Sequence, residues 1–340
     1  MVVASVSPKP RRTLVNTRQL GSIGPDLAEV GFGCMGLSSV YTATDDATAE
    51  RVIHHAIDLG VEHFDSADAY GKQGHNERLV GRAIAHRRNE VVIATKFGQV
   101  VHDDGSREIR GTPEYVRTAC DASLERLGID TIDLYYAHRI DPNVPIEETV
   151  GAMSELVEAG KVRWIGLSEA APDTVRRAHA VHPLAAVQAE YSLWTRFAED
   201  EHFAICGELD IAYVAYAPIG RGFLSGTIKA QGDLRPGDRR SGHPRFSGEN
   251  IAANVSMIDT LNDVAVEVGA SPAQVSLAWV LTRGSFIHAI PGTTSPVHLE
   301  ENVAAADVTL GQEQVSRLTA AFASVAGERY PAGALRHVQR

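Results

Sequence analysis

Apolar and polar positions follow two alternating rhythms along the chain. Short apolar or β-branched runs fall at residues 28–33, 61–65, 91–96, 132–137, 162–166, 185–190, 211–216 and 287–290, the last with Phe286 just ahead of it. Between these runs apolar positions recur every three or four residues, the period of an amphipathic helix. Residues 46–59 place Ala49, Val52, Ile53, Ala56 and Ile57 on one helical face and stop at Gly60. Thr112 followed by Pro113 is a helix start; Val116, Cys120, Leu124 and Leu127 form its stripe, and Gly128 ends it. Residues 76–85, 147–159, 173–181, 254–268, 272–283 and 297–306 read as further helices.

Strands alternating with helices imply a parallel sheet, and a count of eight strands favours closure. The expected fold is α/β, a (β/α)8 TIM barrel with long loops at its C-terminal face. The longest irregular stretches are 98–111 and 221–249, the second read as a loop over the barrel mouth. No linker rich in Pro, Gly or Ser divides the chain. A single domain over residues 13–340 is expected, after a loose tail at 1–12.

Composition narrows the function. A chain of 340 residues with 44% hydrophobic content can bury a large core. A net charge of −11 leaves no basic surplus to neutralise phosphates, which argues against nucleic-acid and anionic-membrane partners. No apolar run approaches the ~18–20 residues of a membrane span, and the first residues lack the apolar region of a signal peptide. Cys34, Cys120 and Cys206 are far apart and odd in number, as expected of reduced thiols in a cytoplasmic protein. There is no HExxH and no Cys/His cluster, so no metal site is expected.

One motif misleads. GFGCMG sets Gly31, Gly33 and Gly36 in the G-x-G-x-x-G spacing of dinucleotide-binding domains. That fingerprint needs a helix opening at once and an acidic residue at a strand end about 20 residues on. Here the next helix opens well downstream and Asp58 falls inside it. A Gly-rich first loop, closely approached by a ligand, is the better reading.

Barrel active sites gather at the C-terminal ends of the strands. The stretch HFDSADAYG at 63–71 ends the second strand with Asp65 and puts Tyr70 in the loop after it; Lys96 ends the third strand and His138 the fourth. Neighbouring strands would bring these four side chains to one side of the mouth. A phenol is a weak acid, and a nearby ammonium favours its phenolate. Asp65 beside Lys96 would keep the lysine charged and fixed, and His138 could hydrogen-bond a substrate oxygen. The group would be a proton donor aimed at an oxygen that becomes an alkoxide. His63 is expected in the barrel interior, Asp68 at the loop surface or as a cap, and Glu77 as a brace for the loop.

The chain resembles the aldo-keto reductase family over nearly its whole length. The resemblance rests on DSADAYG, NERLVGRAI, VVIATKFG, DLYYAHR, GKVRWIGLSE, VQAEYS, AYAPIGRGFLSG and IPGTTSPVHLEEN, in that order. It implies a (β/α)8 barrel that moves a hydride between a nicotinamide cofactor and a carbonyl carbon. The family's catalytic Asp, Tyr, Lys and His fall on Asp65, Tyr70, Lys96 and His138. Ser168 and Gln188 match the groups that hold the nicotinamide carboxamide, and Tyr216 the aromatic that stacks on its ring. Glu169 stands where many relatives have Asn. The glycine-rich first loop adds Gly33, Met35 and Gly36. Pro218, Gly220, Arg221, Gly222 and Leu224 match the loop over the pyrophosphate. Gly292, Thr293, Thr294, Ser295, His298, Glu301 and Asn302 match the adenosine end. Relatives that prefer NADPH usually carry Lys or Arg there, and this chain has neither between Arg283 and Arg317. A helix N-terminus with hydroxyls can still take an anion. NADP(H) is the expected cofactor, with NAD(H) as the alternative.

The expected reaction is reduction of an aldehyde or ketone, a small-molecule substrate walled by Tyr41, Trp194, Phe223, Met35 and the segment from Arg329 on. The alternative is a cofactor-binding regulatory subunit resembling channel β-subunits. Monomer and homo-oligomer both stay open.

Overall fold

The structure, a computed structural model, describes residues 16–38, 44–102, 106–335 and 337–339. The expected tail at 1–12 and the substrate wall Tyr41 lie outside them. Eight strands form one parallel sheet: β3 (Phe32–Gly33), β4 (His63–Asp65), β5 (Val92–Phe97), β8 (Ile132–Ala137), β9 (Val162–Ser168), β10 (Ala186–Glu190), β11 (Ala212–Tyr216) and β12 (Ile287–Ile290). Val30 pairs in parallel with Ala289, and Gly31 and Gly33 donate to Ala289 and Pro291, so the last strand meets the first and the barrel closes. The expected strand at 28–33 is thus shorter, and its first residue belongs to another element.

That element is a hairpin, β1 (Thr17–Gln19) with β2 (Asp26–Ala28), which the apolar pattern does not show. Its Leu20 and Leu27 are buried against Ala186 and Ala212, the first residues of β10 and β11. The hairpin therefore plugs the N-terminal end of the barrel and leaves the C-terminal end as the mouth. A second hairpin, β6 (Gln99–Val101) with β7 (Arg107–Ile109), rises from the mouth within the stretch read as irregular.

The helices lie outside the barrel: α1 (Asp46–Asp58), α2 (His75–Ile84), α3 (Pro113–Leu127), α4 (Ile146–Glu158), α5 (Pro172–Val181), α6 (His202–Leu209), α7 (Gly248–Val268), α8 (Pro272–Leu281), α9 (Pro296–Ala304), α10 (Gln312–Ala321) and α11 (Ala332–Leu335). Thr112 caps α3 through the Tyr115 N–H, and Gly128 closes it with φ 65°. Asp45 caps α1, whose buried face is Ala49, Val52, Ile53, Ala56 and Ile57. The helix expected at 254–268 begins earlier, at Gly248. Helices α6, α10 and α11 are not among those the sequence pattern predicts; α6 is apolar nearly all round, which hides its period.

Period-two alternation divides each strand between two cores. Ile93 and Phe64 face outward to the helices, while Ala94, Leu134, Tyr136, Val214 and Ile290 fill the interior. Gly166 leaves room there: a β-carbon would stand 2.5 Å from the Tyr136 ring. The same alternation turns Asp65, Lys96, His138, Ser168, Gln188, Glu190 and Tyr216 inward at the strands' C-terminal ends.

Candidate active site

Lys96 is fully buried and ends the inward series of β5. Its ammonium pairs with Asp65 Oδ1 and donates to the Ser66 carbonyl at 2.7 Å. Asp65 Oδ2 accepts from Gln188 Nε2 at 2.7 Å. Burial pulls the Lys96 pKa down, and the adjoining Asp65 carboxylate opposes that pull. Lys96 Nζ lies 5.1 Å from the Tyr70 ring centroid. The rings of Tyr70 and His138 meet edge to face, 5.7 Å apart at 84°. All four residues proposed from strand ends therefore share one site.

His138 is 6% exposed, and its Nδ1 is buried without a partner. Burial holds its pKa well below the usual range, helped by Arg139, Lys96 and Arg107. A neutral imidazole can donate one N–H to a substrate oxygen without competing for the proton that Tyr70 carries.

The loop after β4 is fixed from behind. Buried Asn76 donates to the Cys34 carbonyl and Ser38 Oγ, both at 2.8 Å, and accepts from Ser66 Oγ at 2.7 Å. Glu77, also buried, accepts from Thr95 Oγ1 and Arg126 Nε, both at 2.6 Å. It ties α2 to β5 and α3, in keeping with the brace expected of it. Asn76 is a supporting residue that the strand-end pattern does not single out. His63 is fully buried, as expected.

Asp68 departs from its reading as a surface or capping residue. Its Oδ1 is buried without a hydrogen bond, in a cavity of about 360 Å³ lined also by Gln73, Gln99, Tyr115 and Arg126. Burial, with nearby Glu77, pushes its pKa up to about 8.

The residues expected to hold a cofactor ring the same mouth. Ser168 is buried, and its Oγ has only a long contact, 3.5 Å from Arg139 Nη1. Tyr216, half-buried, donates to Glu169 Oε1 at 2.6 Å, with the Tyr330 hydroxyl 2.9 Å away. Gly36 and Met35 are half-buried, with nothing within 4 Å of where a Gly36 β-carbon would stand. Gly33 and Gly292 also serve the barrel seam: a β-carbon on either would come within 2.8 Å or 2.5 Å of a carbonyl oxygen opposite. Gly220, Arg221 and Gly222 have φ of 55°, 56° and 93°, a left-handed run in which Arg221 is the residue under strain. Arg221 Nη2 holds Glu190 Oε2 at 2.7 Å, while Pro218 and Leu224 are buried. Ser295 caps α9 through the His298 N–H, Thr293 Oγ1 accepts from Ser295, and Thr294 is half-buried beside them. Asn302 is buried and Glu301 half-buried on that helix.

Two expected substrate walls are placed elsewhere. Phe223 is fully buried and Trp194 is 3% exposed; they stack at 4.0 Å and 12°, with Phe246 edge-on to the indole. This stack anchors the long loop to the barrel and presents almost no face to the mouth.

Glu169 is the residue whose role changes most. At φ 55° after β9, it takes a bidentate pair from Arg329, with Nη1 and Nη2 at 2.8 and 2.6 Å. Burial alone would raise its carboxyl; Arg329, Arg139 and Tyr216 outweigh that and hold it at about 2. The C-terminal segment is thereby strapped over Tyr216, and the Gln339 N–H closes on the Glu169 carbonyl at 3.1 Å.

Comparison with known proteins agrees with this geometry. The sequence profile of the aldo/keto reductase family matches residues 29–323. The chain belongs to the aldo/keto reductase family. It is 44% identical over 316 residues to "Probable aldo-keto reductase 1" of Glycine max, across 92% of this chain and 91% of the relative. Among solved structures it resembles the glycerol dehydrogenase AKR11B4 of Gluconobacter oxydans, with TM-score 0.83 and 27% identity over 94% of this chain and 99% of that one. It also resembles a thermostable aldo-keto reductase in complex with the inhibitor epalrestat, with TM-score 0.73 and 26% identity over 90% of this chain and all of that one. The fold is accordingly the (β/α)8 barrel of this family, whose members are oxidoreductases that act on carbonyls with nicotinamide cofactors. Among the described residues no single helix is long and apolar enough to cross a membrane.

Proposed function

We propose that this aldo/keto reductase is an NADP(H)-dependent carbonyl reductase in which Tyr70 gives the proton. The observation that carries the reading is the placement of the Lys96 ammonium between Asp65 and the Ser66 carbonyl, 5.1 Å from the Tyr70 ring, with neutral His138 against that ring. The reduced cofactor, when bound, supplies the hydride to the carbonyl carbon. Tyr70 protonates the oxygen that becomes the alcohol. The Lys96 charge stabilises the phenolate left behind, and Asp65 keeps that charge in place. His138 orients the carbonyl oxygen by a hydrogen bond. A positioned acid of this kind contributes about 10²–10⁴ in rate.

The residues around the mouth suit the cofactor. Ser168 has a buried hydroxyl without a close partner, Gly36 leaves open space, and the capped first turn of α9 offers N–H groups and hydroxyls to an anion. Ser168, Gln188 and Tyr216 would hold the nicotinamide, the loop from Pro218 to Leu224 the pyrophosphate, and Thr293, Thr294, Ser295, His298, Glu301 and Asn302 the adenosine phosphate. Gln188 would do so while still bound to Asp65, which couples the cofactor's seat to the lysine's partner. The substrates are small carbonyl compounds, or alcohols in reverse; likeness to a structure named as a glycerol dehydrogenase supports testing both directions. The setting is cytoplasmic. No observation favours the regulatory-subunit reading.

A panel of aldehydes, ketones and alcohols followed by NADPH and NADH absorbance tests the proposal. It predicts turnover of some carbonyls with NADPH; no turnover with either cofactor would contradict it.

A further inference from the structure

Three guanidinium groups and two carboxylates line the nicotinamide side of the mouth. Arg329 is matched by Glu169 in two hydrogen bonds, and Arg221 by Glu190 at 2.7 Å. Lys96, below them, is matched by Asp65. Arg139 is the surplus. It follows His138 directly, is half-buried, and meets no carboxylate within ion-pair distance among the described residues. Its Nη1 donates to the His138 carbonyl at 2.6 Å and lies 3.5 Å from Ser168 Oγ. Its Nε and Nη2 have no acceptor among the described residues. Those two donors form the side of the guanidinium fork that grips a carboxylate with two parallel hydrogen bonds. The Glu169 carboxylate favours its charge from a distance but makes no hydrogen bond to it, and a half-buried cation gains from a ligand that pairs with it directly.

We propose that Arg139 is a specificity-determining residue that binds a carboxylate on the substrate, so that the preferred substrates are carbonyl compounds carrying a carboxylic acid. This rests on the reading of the site as a carbonyl reductase and names its substrate class. The surroundings support it. Arg139, Lys96 and Arg107 all lie near enough to His138 to disfavour its protonation. The mouth is thus locally cationic in a chain of net charge −11, which focuses an anion there. Arg245, on the loop side, donates to the carbonyls of Trp194 and Gly327 and to Thr195 Oγ1, and so serves the loop. In the reaction the carbonyl carbon gains a hydride from the reduced nicotinamide, and the C=O π pair moves to oxygen, which takes the Tyr70 proton. The carboxylate makes and breaks no covalent bond. A planar, singly charged carboxylate matches one guanidinium fork; a phosphate at about two charges would not be neutralised by it.

The test uses two matched pairs, 4-carboxybenzaldehyde and 4-oxobutanoate, each against its methyl ester. The readout is the ratio of kcat/KM for acid over ester with NADPH. The wild type is expected to favour at least one acid by tenfold or more. Arg139→Leu should bring that ratio to one or below, and Arg139→Lys should retain part of it. A wild type that prefers both esters, or an acid preference unchanged in Arg139→Leu, would overturn the proposal. So would an unchanged ratio accompanied by weaker NADPH binding, which would assign Arg139 to the cofactor. If no carbonyl is reduced at all, the reductase reading falls on its own. Benzoate binding to the NADPH-loaded protein, by tryptophan fluorescence, then decides: affinity lost in Arg139→Leu supports the carboxylate site, and affinity retained removes it.

Discussion

Arg329 closes a two-bonded ion pair with Glu169, 160 positions earlier in the chain, at 2.8 and 2.6 Å with both side chains buried. The pair fastens the C-terminal segment across β9–β11 and over Tyr216, so the last described residues form part of the mouth. Glu169 sits where a carboxamide contact is expected in many relatives, yet its charge is used by the strap.

This pair makes acid stability predictable. Glu169 is held at about 2 against an ordinary 4.5, so its contribution is complete above about 4.5 and is lost as pH falls towards 2. Glu169→Gln should flatten the acid limb of the stability curve between those values. It should also leave Arg329 with only the longer contact to Glu190 Oε2, at 3.8 Å, at a loss of about 3 kcal/mol at neutral pH. Thermal melts from pH 7 to 3 check both, and faster proteolysis within residues 329–339 should accompany them.

Lys96→Met should strand the buried Asp65 carboxylate, whose remaining side-chain partner is Gln188. The expected loss is about 3–5 kcal/mol of stability, as for a buried pair with one partner removed. The double variant Asp65→Asn/Lys96→Met should recover part of that stability but no activity. Denaturant melts and a carbonyl assay separate the two effects; a double variant no more stable than Lys96→Met alone would contradict the charge argument.

Asp68 predicts the opposite sign. Its carboxyl is raised from 3.8 to about 8, so ionisation penalises the folded state increasingly between those values. Asp68→Asn should be stabilising at pH 8, by about 1–2 kcal/mol after allowance for partial exposure, and near neutral at pH 4. Melting temperatures at the two pH values decide; equal shifts at both would show that Asp68 is solvated.

The cofactor preference should be modest. No Lys or Arg stands between Arg283 and Arg317, so hydroxyls and the α9 N-terminus are left to read the 2′-phosphate. Each such interaction contributes about 0.3–1.5 kcal/mol. NADPH should bind roughly tenfold to a hundredfold more tightly than NADH by quenching of tryptophan fluorescence. Equal or reversed affinities would make NAD(H) the cofactor.

The eight strands and the site they carry were legible because burial on both faces leaves unbroken apolar runs whose ends are sharp. Asp65, Lys96 and His138 stand at those ends, and period two fixes which way they point. The hairpins β1–β2 and β6–β7 were not legible: their strands are three residues each, too short to show a period. Nor could spacing pair Glu169 with Arg329, or leave Arg139 without a carboxylate at ion-pair distance, since both depend on contacts across the barrel. Trp194 and Phe223, expected as pocket walls, are instead taken inside by stacking on each other, a contact that sequence spacing does not reveal.

Tyr70→Phe tests the central claim most directly, because it keeps the ring against His138 and Lys96 and removes the hydroxyl that carries the proton. kcat for any carbonyl that the wild type reduces with NADPH should fall by about 10² or more, since the phenol acts in the transition state. The NADPH dissociation constant, measured on the same preparations, should stay within about threefold, because no cofactor contact is assigned to the phenol. Near-normal turnover by this variant would contradict Tyr70 as the acid, and with it the assignment of the site.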